Sequence, residues 1–327
     1  MVPTVKDVAR EAGVAVGTVS KVINGKPVGD EYKKKVEAAI KKLDYRINSY
    51  AQGLKASKTY TVAVLVPNTA NPFFGELAHE LNFALSKRNY RMYLCCTDYD
   101  FRLEQEFINM VQMNKVDGII GLTYSPDIVV DESLPFVSID RPFSQGIPCI
   151  SSDNYNGGLI AAEKLCELGC RKLVFFRNGS PLINEPNKRA SGFEAGCIHN
   201  NIDYDIVSVD DPEDPVPTFK KYISDHIKKG KADFDGVFCV TDSLACIIME
   251  MLAEHDIYAP NDIQIIGFDG IKHFATGKPY CSSIAQPIAD LAEVAVDTLL
   301  RESNSVKPPL ICLPVEYLEG PTTKQTR

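Results

Sequence analysis

The 327-residue chain has no tryptophan, so an aromatic platform for a ligand must come from phenylalanine or tyrosine, for instance Tyr124 or Tyr155. No apolar run approaches the roughly 20 residues of a membrane span, and Met1 leads within a few residues into the first predicted helix. Neither a membrane segment nor a signal peptide is expected. Neither a Walker A motif nor a GxGxxG run follows any predicted strand, which speaks against a nucleotide held by a standard phosphate loop. The ten cysteines include no CxxC pair. Cys95, Cys96, Cys239 and Cys312 lie in apolar strand-like runs, and Cys166 and Cys170 share a predicted helix with no histidine at ligand spacing. Unpaired thiols in a reducing cytoplasm are the expectation, not a disulfide or zinc framework. The five histidines (His79, His199, His226, His255, His273) are scattered, and no nucleophile–base pair has recognisable spacing. No metal, cofactor or enzymatic reaction is expected.

What the chain does have stands at its start. In residues 4–25, TVKDVAREAGVAVGTVSKVING, Thr4 and Asp7 form a capping-box-like helix start. Val5, Val8 and Ala12 recur at helical spacing, and Gly13 can end the helix in a left-handed conformation. A second short helix, Val16 to Ile23, turns Val19, Val22 and Ile23 inward and stops at Asn24-Gly25. A third, Asp30 to Leu43, offers Tyr32, Val36, Ala39, Ile40 and Leu43 on one face and lysines on the other. This is the pattern of a helix-turn-helix whose second helix has a face free for a DNA major groove. A small structural three-helix domain would carry the same pattern. Charge favours the first reading. Residues 1–60 hold twelve Lys/Arg against six Asp/Glu, a balance of +6, which leaves −14 for the rest of a chain whose net charge is −8. A basic head on an acidic body suits a head that sits on phosphates, although Lys33–Lys35 alone would serve equally as a solvated helix face.

From Tyr60 onward strands alternate with helices. TVAVLV (61–66), RMYLCC (91–96), DGIIGL (117–122) and LPFVSID (134–140) are separated by helices at about 74–87 and 101–114. After a helix at 156–168 the cycle restarts with KLVFFR (172–177), DIVSVD (205–210), DGVFCV (235–240) and DIQIIGF (262–268), separated by helices at 188–200, 216–229 and 242–255. Apolar strands alternating with helices imply parallel sheets covered on both faces. Two rounds imply an α/β body of two doubly wound parallel-sheet lobes, with a ligand where strand C-termini of both lobes face a shared cleft.

Several segments, in order, resemble the lactose-repressor/galactose-repressor family of bacterial transcription regulators. They are VKDVAREAGVAVGTVSKVING, LDYRINSYAQGLKASKT, VPNTANPFF, SIDRP (138–142), DNYNGG (153–158), RASGF (189–193), the stretch around VTDSLA (240–245), IIGFDG (265–270) and AQP (285–287). The resemblance covers nearly the whole chain. It implies a helix-turn-helix domain over 1–46, a hinge helix and linker over 47–60, and an effector-binding and dimerisation body of periplasmic-binding-protein type over 61–327. The first lobe would take about 61–156 plus 288–312, and the second about 157–287 plus the C-terminal segment. It further implies a cytoplasmic homodimer on a palindromic operator, controlled by a small polar effector such as a sugar or sugar derivative. A few relatives resemble a different case, a regulator of this fold whose body mainly docks a partner protein.

The same resemblance places DNA contacts at Thr4, Val16, Gly17, Thr18, Ser20, Lys21, Asn24, Tyr45, Asn48, Ala51 and Leu54. Val16 suits a thymine methyl, Gly17 a close backbone approach, and Lys21 a guanine or a phosphate. Residues 48–56 match the family's hinge helix, too short to be stable alone in water, with Leu54 as the wedge between central base pairs. The chain departs from the family at Ala15 (usually serine), Ile47 (usually proline), Gln52 (usually arginine) and Thr241 (often asparagine). In the cleft, the resemblance points to Phe73, Phe74, Thr123, Asn156, Arg189, Thr241, Asp242, Asp269 and Gln286. Arg189 would donate to ligand oxygens through its planar fork. Asp269, just beyond the strand IIGF, would accept from hydroxyls. Asp140 and Arg141 end a first-lobe strand, where an ion pair between them is an equally good account.

Overall fold

A computed structural model of the chain describes residues 3–23, 26–45, 58–113, 116–123, 128–130, 135–143, 146–180, 184–211, 213–301 and 308–325. It divides into two compact units, residues 1–59 and 60–327.

The first unit holds α1 (Val5–Ala12), α2 (Val16–Ile23) and α3 (Asp30–Lys42). Its capping box is closed: the Asp7 amide donates to Thr4 Oγ1 (3.4 Å) and the Thr4 amide to Asp7 Oδ2 (2.9 Å). Gly13 stops α1 at φ 65°, its amide turned back to the carbonyls of Ala9 and Arg10, a conformation that carries no penalty without a Cβ. Val8, Ala9 and Ala12 of α1 meet Val19 of α2 and Val36 and Ala39 of α3 in a small core. Tyr32 departs from the expected inward face. It is 51% exposed, because it stands in the first turn of α3, a turn before the buried stripe begins at Val36. Asn24, Asn48, Ala51 and Leu54 lie outside the described residues.

The second unit is built on two six-stranded sheets, ordered β13-β5-β4-β3-β1-β2 and β14-β12-β11-β10-β6-β7. The first sheet takes β1 (Thr61–Val66), β2 (Arg91–Cys96), β3 (Gly118–Gly121), β4 (Phe136–Ile139), β5 (Cys149–Ser152) and β13 (Leu310–Leu313). The second takes β6 (Lys172–Gly179), β7 (Asp203–Asp210), β10 (Gly236–Cys239), β11 (Gln264–Asp269), β12 (Ser282–Ala285) and β14 (Glu316–Leu318). The crossovers are α4 (Pro72–Lys87), α5 (Phe101–Gln112), α6 (Asn154–Glu167), α7 (Lys188–His199), α8 (Val216–Asp225), α9 (Asp242–Ala253) and α10 (Ile288–Leu300). Central strands β1, β3, β4, β10 and β11 are buried along their whole length, as a parallel sheet covered on both faces requires.

Three features depart from the sequence expectation. The sheets are not wholly parallel, since β14 runs antiparallel to β12. The edge strand β2 is not covered on both faces: Tyr93 and Leu94 are 38% and 42% exposed. The helix expected over 216–229 ends at Asp225, and β8 (Ile227–Lys228) and β9 (Lys231–Ala232) form a hairpin there. Lys229 and Gly230, both at positive φ, supply the two left-handed residues that a tight hairpin turn needs. All ten cysteines are free thiols. Among the described residues no group of three His, Cys, Asp or Glu could hold a metal ion, and no helix is long and apolar enough to cross a membrane.

Candidate functional site

In the first unit, α2 presents Val16 (43% exposed), Gly17 and Lys21 to solvent. A Cβ at Gly17 would meet nothing within 4 Å, so this turn leaves room for close approach of another surface. Thr18 and Ser20 are half-buried beside it. Ala15 precedes α2 and its carbonyl accepts from Thr18 (2.9 Å) and Val19 (3.3 Å), but its methyl cannot cap the first amides. Ala15→Ser should add the missing cap and about 1 kcal/mol of head stability, read as a later urea midpoint; an unmoved midpoint would mean those amides gain nothing from a hydroxyl. Thr4 is occupied in its capping box. Tyr45 is 8% exposed, with its ring packed in the core of the head, which leaves little of it at the surface.

In the second unit a cavity of about 320 Å³ lies at the C-terminal ends of strands from both sheets. Tyr99 follows β2, Asp140 follows β4, Asp211 follows β7, Thr241 follows β10, Asp269 ends β11 and Gln286 follows β12. This is where a doubly wound fold places ligands. The N-terminus of α4 forms one wall. Asn68 Oδ1 accepts from the Ala70 and Asn71 amides (3.1 and 3.0 Å), and Asn71 Oδ1 caps Phe73 (3.0 Å). Phe73 and Phe74, edge to face at 5.7 Å, belong to the first lobe's core and line the cavity as well.

Arg189 is the centre of the opposite wall. It is 4% exposed. Its Nε donates to Asn154 Oδ1 (2.7 Å), its Nη1 to the Val240 carbonyl (2.5 Å), and its guanidinium lies 3.5 Å from the Phe268 ring centroid. Glycines make this possible. A Cβ at Gly158 would come within 2.1 Å of the Arg189 carbonyl oxygen, and one at Gly192 within 1.8 Å of that of Tyr155. Only bare backbones let α6 and α7 cross so closely, which sets Asn154 against Arg189.

Two buried carboxylates flank the arginine. Asp269 accepts from Gln286 Nε2 (2.8 Å), and Asp140 from the Ser151 hydroxyl (2.7 Å). Burial raises both carboxyls above the ordinary aspartate value, and the Arg189 charge opposes that rise in each. Asp140 and Asp269 both hold positive φ (60° and 122°). Arg141 lies over the Phe143 ring, 4.9 Å from its centroid. Gln286 joins the lobes, since its Oε1 accepts from Ser152 Oγ of the first sheet (2.8 Å) while its amide serves Asp269. Thr241 lines the cavity and caps α9 through the Leu244 amide (3.1 Å).

Three expected cavity residues are not brought to it. Thr123 is fully buried beyond β3, with no hydrogen-bond partner for its Oγ1 among the described residues. Asn156 sits half-buried on α6, its amide taken by the Asp153 cap (3.0 Å). Asp242 points away, toward Ser283 and Ile271. Conversely, Tyr99, Asn154, Arg177 and Asp211 form or support the cavity without having been expected. Tyr99, 53% exposed, lines the cavity together with Asp211. It occupies the aromatic place expected of Tyr124 or Tyr155; Tyr124 lies outside the described residues and Tyr155 does not line the cavity. The rule that ligands sit beyond strand C-termini would have pointed to Tyr99 once β2 was read.

Comparison with known proteins bears on both units. Residues 4–48 match the bacterial regulatory proteins of the lacI family, and residues 162–323 the periplasmic binding protein-like domain. The chain is 30% identical over 326 residues to the sucrose operon repressor of Pediococcus pentosaceus, covering 98% of this chain and 99% of the relative. Among solved structures, a periplasmic binding protein/LacI transcriptional regulator from Alkaliphilus metalliredigens, complexed with D-xylulofuranose, is similar to 81% of this chain and 100% of its own (27% identity, TM-score 0.68). The Lac repressor dimer bound to operator and the anti-inducer ONPF shares the fold over 99% of both chains (20% identity, TM-score 0.83). With the head matched, the body matched and the repressor likeness running over almost its entire length, this chain belongs to the lacI family of bacterial regulatory proteins.

Proposed function

We propose that this protein is a transcriptional repressor, not an enzyme, which binds a palindromic operator as a homodimer and responds to a sugar or sugar derivative in the interlobe cavity. The observation that carries the effector reading is the cavity's composition. Planar donors and acceptors (Arg189, Asp269, Asp140, Gln286) face aromatic edges (Phe73, Phe74, Tyr99) across a space of about 320 Å³. A polyol needs both: paired acceptors and donors for its hydroxyls and apolar surface for its C–H faces. The relatives' names, a sucrose operon repressor and a regulator holding D-xylulofuranose, support the same class. On the DNA side, Val16, Gly17, Thr18 and Lys21 would face the major groove, and the +6 balance of residues 1–60 would be used twice on phosphates. A ligand that binds one lobe arrangement better than the other changes operator affinity by the same coupling free energy.

Two measurements test the reading together. A panel of sucrose, D-ribose, D-xylulose and their phosphates is screened by thermal shift, where a ligand at 100 times its Kd stabilises by about 2.7 kcal/mol. Binding to palindromic DNA fragments is then followed from 50 to 200 mM salt, where six to ten phosphate contacts lose roughly 10³–10⁵ in affinity. A salt slope near zero would overturn the DNA assignment. Stabilisation by none of these sugars would overturn the effector assignment.

A further inference from the structure

Asp242 is buried (2% exposed) as the first residue of α9, next to the cavity-lining Thr241, yet its carboxylate leaves the cavity. Its Oδ2 accepts from the Ile271 amide (2.7 Å), and its Oδ1 from the Ser283 hydroxyl (2.6 Å) and the Cys281 thiol (3.3 Å). Ser283 Oγ in turn accepts from the Gly270 amide (3.0 Å). The two amides directly after Asp269 are therefore gripped by side chains from two other elements, α9 and β12. The segment they hold is a costly one. Asp269 stands at φ 122° and Gly270 at φ 80°, and such a conformation at a non-glycine residue costs of order 1–3 kcal/mol unless its surroundings impose it. The sequence leaves space for the grip: a Cβ at Gly267 would come within 2.3 Å of Asp242 Oδ1. Burial pushes the Asp242 carboxyl up to about 6, against the pull of the Ser283, Ile271 and Cys281 donors, so the group is kept inside at a cost that these bonds must offset.

We infer that Asp242, together with Ser283, is a positioning pair for the cavity: it holds the Asp269–Gly270–Ile271 turn so that the Asp269 carboxylate faces Gln286 and Arg189. Asp242 touches no ligand in this account and acts through Asp269. The ligand arm of the test rests on the reading of the cavity as an effector site; the backbone arm does not.

Asp242→Asn keeps the shape but puts an NH₂ donor in place of one carboxylate oxygen, so either the Ile271 amide or the Ser283 and Cys281 donors lose their acceptor. In the full chain without ligand, amide hydrogen exchange at Gly270 and Ile271 should accelerate about 100-fold or more, while Asp269→Asn leaves both amides near wild type. Ser283→Ala, which removes a single hydroxyl, should accelerate Gly270 by about tenfold and keeps the test open if Asp242→Asn does not fold. With sucrose, D-ribose and D-xylulose as probes, Asp242→Asn should weaken whichever binds by about tenfold or more, but by less than about twofold when Asp269→Asn is already present. Unchanged exchange at both amides in either variant, or a full additional loss in the double variant, overturns the assignment. If the wild type binds none of the three sugars, the effector reading falls and the exchange result still decides the positioning role.

Discussion

Arg189→Ala should cost the body about 3–5 kcal/mol of stability, the usual consequence of removing one partner from a buried ionic group, and should remove its response to effector. The loss has two parts that pH separates. One is independent of charge: the bonds to Asn154 and the Val240 carbonyl and the stack on Phe268 disappear together. The other comes from Asp140 and Asp269. Both carboxyls already stand above their ordinary value through burial; the Ser151 hydroxyl and then Arg189 oppose the rise at Asp140, and Arg189 and then Gln286 oppose it at Asp269. Without Arg189 their folded-state pKa values rise further.

A group whose folded pKa is raised contributes stability that is complete below its unfolded value and is lost as pH rises through the folded one. Part of the Arg189→Ala deficit should therefore be small near pH 4 and grow as pH rises through the raised values toward 8. Urea unfolding of wild type and variant between pH 4 and pH 8 measures it. A deficit that stays constant over that range would show that the arginine is not electrically coupled to the two aspartates. A variant that still responds to the identified sugar with wild-type amplitude would remove Arg189 from the site altogether.

Much of this arrangement was legible because its signals are local. The capping box at Thr4 and Asp7, the stop at Gly13 and the spaced valines of α2 are all settled within a few residues of chain. Central strands such as TVAVLV announce themselves by uninterrupted apolar character. Two of the strands that escaped reading, CISS (149–152) and SSIA (282–285), are short and serine-rich. Their serines are there to be bonded: Ser151 serves Asp140, Ser152 serves Gln286, and Ser283 serves Asp242. Such roles depend on partners more than ten residues away. The site residues show the same limit. Asn154 and Asn156 stand two positions apart on α6, a rotation of about 200° around the helix, and only the crossing with α7 decides which one meets Arg189. Asp242 and Asp269 both follow apolar strands. Which of them faces the cavity depends on Gly267 leaving space for one carboxylate to turn inward, and no periodicity reveals that. Leu54 and the other hinge residues lie outside the described structure, so their part in DNA binding rests on the family resemblance.

Gly192→Ala should be among the most damaging single-methyl additions available in this chain. The new Cβ would stand 1.8 Å from the Tyr155 carbonyl oxygen and 2.8 Å from its carbon. Both are backbone atoms of α6, so no side chain can swing aside, and real Cβ contacts essentially never fall below 3.0 Å. The helices must part by more than an ångström. Phe193, buried completely beside the stacked rings of Phe175 and Phe238, then loses close packing, and Arg189 is drawn away from Asn154. Overpacking against backbone on this scale belongs to the rare class above about 4 kcal/mol. Gly17→Ala is the matching control, because a Cβ there meets nothing within 4 Å; in an exposed helix it should gain up to about 1 kcal/mol. Gly158→Ala combined with Gly192→Ala should cost clearly less than the sum of the two, since either one alone already separates the pair. Urea denaturation of these single variants and the double variant, with sugar-induced thermal shift as the second readout, decides the matter. A Gly192→Ala protein with wild-type stability and sugar response would mean that α6 and α7 do not cross backbone to backbone, and that the placement of Arg189 has another cause.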